Sequence, residues 1–341
     1  MSDFNDNSTI WVDLSSGKLV KLIEQRIEEC HLDLGDLTIL TDARTEEDGI
    51  TLLTAARAGA RRIIAVGPPR PTVRGAQVEA MVRRFAAEEG LESRIQFVNS
   101  VKEVDLDQVD IVALDRQSSL IKPAILQQLP SSTVLGLMFD SRNAVSGGLD
   151  ITNRSSYELQ ISDINIADPR VGVLEFLSPL CQLQIQQAGL SLPGLQCLLL
   201  CDNEMAPALA GGLTRAGAQV TVRETLEQVE SGVYDALILA LTPSRDYRLD
   251  LNAISRLPDL IPHGMLLQFW GDIDRSAARY FSVEIWPPVH PGRGQMGIRL
   301  SALGSEPVVA LRVSALKAAV AARRLSSLPP HRGGQLAAAS G

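Results

Sequence analysis

Short apolar runs rich in β-branched residues alternate along this chain with stretches whose apolar positions recur at helical spacing, and the layout occurs twice. In residues 36–150 the runs Leu37–Leu40, Ile63–Val66, Ile95–Val98, Ile111–Leu114 and Val134–Phe139 predict five strands. Helices are predicted over 48–58 and 73–88, the second closed by Gly90. In residues 193–325 strands are predicted at Cys197–Leu200, Val220–Val222, Ala236–Leu241, Met265–Phe269 and Val283–Ile285. The helix Ala206–Ala216 between the first two of these stops at Gly217. A parallel sheet needs such alternation, because each parallel connection requires a crossover of about a dozen residues or more. The fold class expected is α/β: two doubly wound parallel-sheet domains joined by a helix, with a C-terminal covering helix.

The remaining segments follow from the same pattern. Residues 1–35 form a lead-in, with a short apolar start (Ile10, Trp11, Val12) and an amphipathic helix carrying Leu19, Val20, Leu22, Ile23 and Ile27. Residues 151–192 are polar and turn-rich up to Pro169 and then predict a linking helix within Val171–Gly189, bent at Pro179. The final helix, about Val308–Leu325, either covers the second domain or reaches back to the first, and 326–341 reads as a frayed tail. Helices 19–29 and 308–325 are apolar enough to support a homodimer or to pack internally.

Composition narrows the function classes. A chain of 341 residues suits two domains with separate cores. Its net charge of −8 comes without a concentrated Lys/Arg block, which argues against nucleic acid as a partner. No apolar run approaches a membrane span, and Met1–Ser8 is too polar and acidic for a signal peptide. Cys30, Cys181, Cys197 and Cys201 make no disulfide framework and no metal-ligand spacing, so a cytoplasmic protein that binds a small molecule is expected.

Chemistry in such sheets gathers beyond the carboxyl ends of the strands, near the point where strand order reverses. A dinucleotide site needs glycines in the first strand-to-helix turn, so that backbone amides approach the pyrophosphate. The second repeat has Cys201-Asp202-Asn203-Glu204-Met205 there, with Gly211 and Gly212 only inside the helix, where they fit close helix-to-strand packing. Glu224 stands near the place of a ribose-binding carboxylate, and Asp202, Asn203 and Thr242 complete the candidate cofactor positions. The first repeat has Asp42-Ala43-Arg44-Thr45-Glu46-Glu47-Asp48-Gly49 at its turn, again without the glycine pattern, and Asp42 with Asp140 is a candidate acid/base pair.

The strongest local signal is Trp286-Pro287-Pro288-Val289-His290-Pro291-Gly292-Arg293-Gly294-Gln295-Met296-Gly297. Glycines, a histidine and an arginine in one loop can converge on an anion, with His290 as a proton carrier. A tight, proline-bounded connection in which Arg293 caps a helix or forms a surface pair fits the same residues, so both readings stay open. Gln268-Phe269-Trp270-Gly271-Asp272-Ile273-Asp274 is the second candidate: Trp270 as an aromatic wall and Asp272 as a catalytic carboxylate, or Asp272 or Asp274 as the N-cap of Arg275–Tyr280.

The two-domain plan resembles that of NAD(P)-dependent dehydrogenases, built on Rossmann-like domains. The resemblance implies NAD or NADP across the second domain with Glu224 on the ribose. It places a substrate in the interdomain cleft, against Arg44, Arg142, Trp270, Arg293 or Gln295, with His290 as proton donor. The step Phe85–Val98 within residues 36–98 resembles class I methyltransferases, which implies S-adenosylmethionine on the first repeat. The missing glycines leave a third reading, a Rossmann-like scaffold without cofactor that binds a metabolite or a partner.

Overall fold

The computed structural model describes residues 17–326 except 69, 71, 117, 121, 145–158 and 230. The apolar start at Ile10–Val12, much of the turn-rich segment and the tail with His331 lie outside the described residues.

Among the described residues, eleven strands form two sheets in which every pairing is parallel. The first contains β1 (Thr38–Asp42), β2 (Arg62–Val66), β3 (Ile95–Val98), β4 (Ile111–Leu114), β5 (Val134–Asp140) and β6 (Gln160–Ile164), in the order β3-β2-β1-β4-β5-β6. The second contains β7 (Gln196–Leu200), β8 (Gln219–Arg223), β9 (Ala236–Ala240), β10 (Met265–Trp270) and β11 (Glu284–Trp286), in the order β11-β10-β9-β7-β8. Strand order therefore reverses between β1 and β4 in one sheet and between β7 and β9 in the other. These are doubly wound Rossmann-like sheets, as the alternating pattern predicts.

Central strands such as β4 and β9 are buried at every position, since helices cover both faces, and this is why they appear in the sequence as unbroken apolar runs. β6 differs. It alternates Gln160, Ile161, Ser162, Asp163 and Ile164 at the sheet edge, with Gln160 and Asp163 exposed, so no apolar run marks it and the sequence reading places only a linker there.

Helices define how the domains are joined. Leu174–Gln187 runs through Pro179 as one helix. Gly212 of the helix Ala206–Arg215 packs against it so closely that a Cβ would lie 1.6 Å from Ser178 Oγ. The close approach expected of these glycines is thus made by Gly212 alone, and helix to helix rather than helix to strand, since Gly211 meets only Arg215 of its own helix. The C-terminal helix Glu306–Ser326 lies on β5 and β6 and on the helices Lys18–Cys30 and Glu46–Arg57. It therefore completes the first sheet's cover, and the apolar faces of the first and last helices are taken up inside the chain, with Leu19, Ile23, Val309, Val313 and Leu316 buried. Among the described residues no helix is long and apolar enough to cross a membrane.

Candidate functional site at the carboxyl edge of the first sheet

The turn after β7 is where a dinucleotide would meet the second domain, and its own side chains occupy it. Asp202 Oδ1 accepts the Thr242 amide at 2.7 Å, and Asp202 Oδ2 accepts Arg248 Nη2 at 2.7 Å. Asn203 Oδ1 accepts the Met205 amide at 3.1 Å, while Asn203 Nδ2 donates to the Ala240 carbonyl at 2.8 Å. Glu204 reaches the other domain: both its oxygens lie 3.1 Å from Arg142 Nη1, and Asn165 Nδ2 donates to it at 2.6 Å. A pyrophosphate needs amides and positive charge at this turn. Here the Met205 amide is taken and the side chains are acidic, so the residues present do not fit that group. Glu224 is exposed just beyond β8, with its amide held by Gln228 Oε1 at 3.0 Å.

The loop 286–297 crosses from β11 to the first domain. Asp272 is fully buried, and both its oxygens accept the Gly294 amide at 3.0 Å. Asp274, not Asp272, caps Arg275–Tyr280 by accepting the Ser276 and Ala277 amides. Arg116, just beyond β4, donates to the Gly294 and Arg293 carbonyls at 2.9 and 3.0 Å and so clamps the loop to the first domain. Gly297 donates to the Phe269 carbonyl at 2.9 Å, and a Cβ there would lie 1.7 Å from the Gln268 carbonyl oxygen. His290 is exposed, and its Nδ1 accepts the Gly292 amide at 2.8 Å. Partial desolvation, with Arg275 and Arg293 nearby, lowers its pKa against the pull of Asp272. Arg293 stands 5.7 Å over the Tyr247 ring and donates to the Arg245 carbonyl. Trp270 is fully buried, with the Arg142 guanidinium 5.3 Å from its ring.

The cavity lies beside this loop, on the first domain. It holds about 450 Å³ and opens at the ends of β1, β4 and β5, which bracket the reversal of strand order. Residues 295–301 of the crossing segment and the C-terminal helix close it. Its apolar walls include Met138, Phe139, Ile166, Met296 and Leu311. Of the sequence candidates it gathers Arg44 and Gln295, together with Asp42 and Asp140; His290, Asp272, Arg142, Trp270 and Arg293 do not line it.

Its charged groups are unequally occupied. Asp42 accepts hydrogen bonds from the Ser118 hydroxyl, the Ser119 hydroxyl and the Ser119 amide. Asp140 is chelated by Arg142, through Nε at 2.9 Å and Nη2 at 2.6 Å. Asp42 and Asp140 therefore line one cavity and have separate hydrogen-bond partners. Arg312, buried in the C-terminal helix, donates to Asp115 and to the Met138 carbonyl. Burial works against ionisation of Asp115, yet Arg312 wins and its carboxyl sits below the ordinary range.

Asp48 is different. Its Oδ2 accepts the Arg44 and Thr45 amides at 2.9 Å, closing a capping box with Thr45. Its Oδ1 takes no hydrogen bond among the described residues. Burial, with Asp115 and Asp42 close by, raises its pKa to about 7 against the opposing pull of Arg312. Asp48 and Arg312 are the site residues that sequence reasoning overlooks. The available signal for Arg312 is a charge inside the apolar run Val308-Val309-Ala310-Leu311-Arg312-Val313, since a buried guanidinium needs a partner.

Cys181, Cys197 and Cys201 are buried thiols whose pKa values burial raises, Cys201 to about 11 and Cys197 to about 12. No group of metal-ligating side chains occurs among the described residues.

No protein-family model matches the sequence, and no curated protein does. Among solved structures the chain is similar to the A chain of dipicolinate synthase from Bacillus subtilis, with a TM-score of 0.58 and 13% identity over 86% of this chain and 99% of that one. NAD+-bound 3-phosphoglycerate dehydrogenase from Entamoeba histolytica matches with a TM-score of 0.45 and 10% identity, over 83% of this chain and 93% of that one. An RNA methyltransferase from Salinibacter ruber matches with a TM-score of 0.23 and 19% identity, over 32% of this chain and 69% of that one. The first likeness establishes the two-sheet α/β fold, and it establishes nothing of the chemistry.

Proposed function

We propose that this is a small-molecule-binding protein of dehydrogenase-like fold whose ligand occupies the cavity on the first sheet, with the second domain serving as its wall. The observation that carries the reading is Asp48: a buried carboxyl with one free oxygen and a pKa of about 7, lining a cavity at the reversal of strand order. A carboxyl whose ionisation is disfavoured by burial and by neighbouring charge, in a cleft, is a candidate functional group. The volume is in the range of small-ligand pockets.

The nicotinamide reading rests on the tandem parallel-sheet plan and on the exposed Glu224 beyond β8. It requires Asp202, Asn203 and Glu204 to give up the hydrogen bonds that fill the turn. The S-adenosylmethionine reading shares the cavity, but Arg44 and Asp48 line it at the turn where that family carries glycines.

Methionine methyl NMR separates these cases, because Met138 and Met296 line the cavity whereas Met205 is buried at the second-domain turn. With [13C-methyl]methionine protein and a panel of small polar metabolites, the expected result is a shift of Met138 and Met296 with Met205 unmoved. A shift of Met205 with NAD+, NADP+, NADH or NADPH restores the oxidoreductase reading. A shift of the cavity methionines with S-adenosylmethionine alone makes that the ligand.

A further inference from the structure

The charges around Asp48 say what kind of ligand the cavity takes. Asp42 faces it from the end of β1, Asp115 and Arg116 from the end of β4, and Arg312 from the C-terminal helix. Arg44 belongs to its own turn, Glu46 and Glu47 to its own helix, and Arg74 to the helix Val73–Glu88. Most of the cations are already committed. Arg74 pairs with Glu46, Arg116 holds the 293–294 carbonyls, and Arg312 is shared among Asp115, Glu47 and Asp48. Arg299 and Asp140 also line the cavity, so it carries five carboxylates (Asp42, Glu47, Asp48, Asp115 and Asp140) against five arginines; Asp48, 4% exposed, is the buried carboxyl among them whose Oδ1 has no donor among the described residues.

Resting on the cavity as the ligand site, we propose that the ligand carries a protonated amine, which docks against Asp48 Oδ1 while its apolar body lies along Met138, Ile166, Met296 and Leu311. The ammonium takes the place of the proton that Asp48 otherwise keeps, and that proton leaves to solvent. A buried charge is tolerated when an opposite charge meets it with hydrogen bonds, and here both sides of that condition are provided. The two amides on Oδ2 hold the carboxyl in place, so only one oxygen faces the incoming group.

Three probes with the same apolar chain test this on the full-length protein: hexylamine, hexanol and hexanoate, titrated by NMR or calorimetry. Hexylamine is expected to bind at least tenfold tighter than hexanol, and hexanoate weakest. The hexylamine affinity is expected to rise about tenfold from pH 6 to pH 8, following ionisation of Asp48, while that of hexanol stays flat. Asp48→Asn keeps an acceptor for the Arg44 and Thr45 amides and is expected to lose the amine preference while still binding hexanol. If that variant does not fold, Glu47→Gln provides the check, with a several-fold smaller preference expected. Equal binding of hexylamine and hexanoate, or a preference unchanged in both variants, overturns the proposal while leaving the cavity as a binding site. Failure of all three probes to bind overturns the cavity reading as well.

Discussion

Arg142 Nη1 lies 3.1 Å from both carboxylate oxygens of Glu204, so one side chain ties the end of the first sheet to the first turn of the second. The same guanidinium chelates Asp140, which is 2% exposed, and stands over the Trp270 ring. The two halves of this joint are energetically unlike, because Asp140 is buried and Glu204 is about half exposed.

Removing one partner should therefore cost far more than removing the other. Arg142→Ala leaves the buried Asp140 carboxylate with backbone donors alone and is expected to destabilise by about 2 kcal/mol. Glu204→Gln breaks a solvent-screened pair and is expected to cost under about 1 kcal/mol. Urea unfolding of the two variants, compared at equal slope, measures the asymmetry, and equal losses would count against it.

Asp48 makes stability depend on pH in a particular direction. Its folded pKa, about 7, lies above the unfolded carboxyl value, so between the two the folded state holds a proton that the unfolded state has released. That contribution is present at low pH and is lost as pH rises toward 7. Its slope approaches about 1.4 kcal/mol per pH unit at the steepest. The stability difference between the wild type and Asp48→Asn, followed by denaturant midpoints from pH 4 to pH 8, should fall as pH rises. A flat difference would show that Asp48 titrates normally.

Gly297 is expected to be irreplaceable. A Cβ there would lie 1.7 Å from a backbone carbonyl of β10, which cannot rotate away as a side chain can. Gly297→Ala should cost about 3 kcal/mol or more and release the crossing segment from the cavity. Gly189→Ala, at φ +80° with open space around it, should cost only about 1 kcal/mol. Paired thermal melts compare the two.

His290 should titrate below the ordinary imidazole range, because partial desolvation and the cations Arg275 and Arg293 disfavour its charged form. It is then neutral at pH 7, with Nδ1 free to accept the Gly292 amide. Protonation costs this contact, so the loop's stability is present at neutral pH and is lost as pH falls through the unfolded imidazole value. A histidine NMR titration gives the value, and Arg275→Gln should raise it.

What could be seen in the sequence divides along physical lines. Buried strands and helix ends were legible, because burial on both faces writes an unbroken apolar run and a left-handed stop demands glycine: Ile111–Leu114 and Gly217 are cases. The edge strand Gln160–Ile164 carries no such mark, since one side of it faces water. The absence of glycines at 201–205 was visible, but the partners that fill the turn, Arg248 and Arg142, come from far along the chain and have no local signature. His290 and Arg293 stand out by residue type, whereas their side-chain contacts are within the second domain. Asp48 looked like one more acidic residue in a helix's first turn. Its character comes from burial and from Asp115, which is distant in sequence and adjacent in space, against the pull of Arg312.

The C-terminal helix also sets an order of events during synthesis. Asp115 and the Arg312 that neutralises it are separated by 197 positions, and the whole second domain is made between them. The first sheet leaves the ribosome early yet must wait, with β5 and β6 uncovered and Asp115 unpaired, until the last helix arrives. The half of the protein that is translated first is thus the half that is finished last, and a nascent chain stalled before residue 306 would present an apolar sheet face for a chaperone to hold.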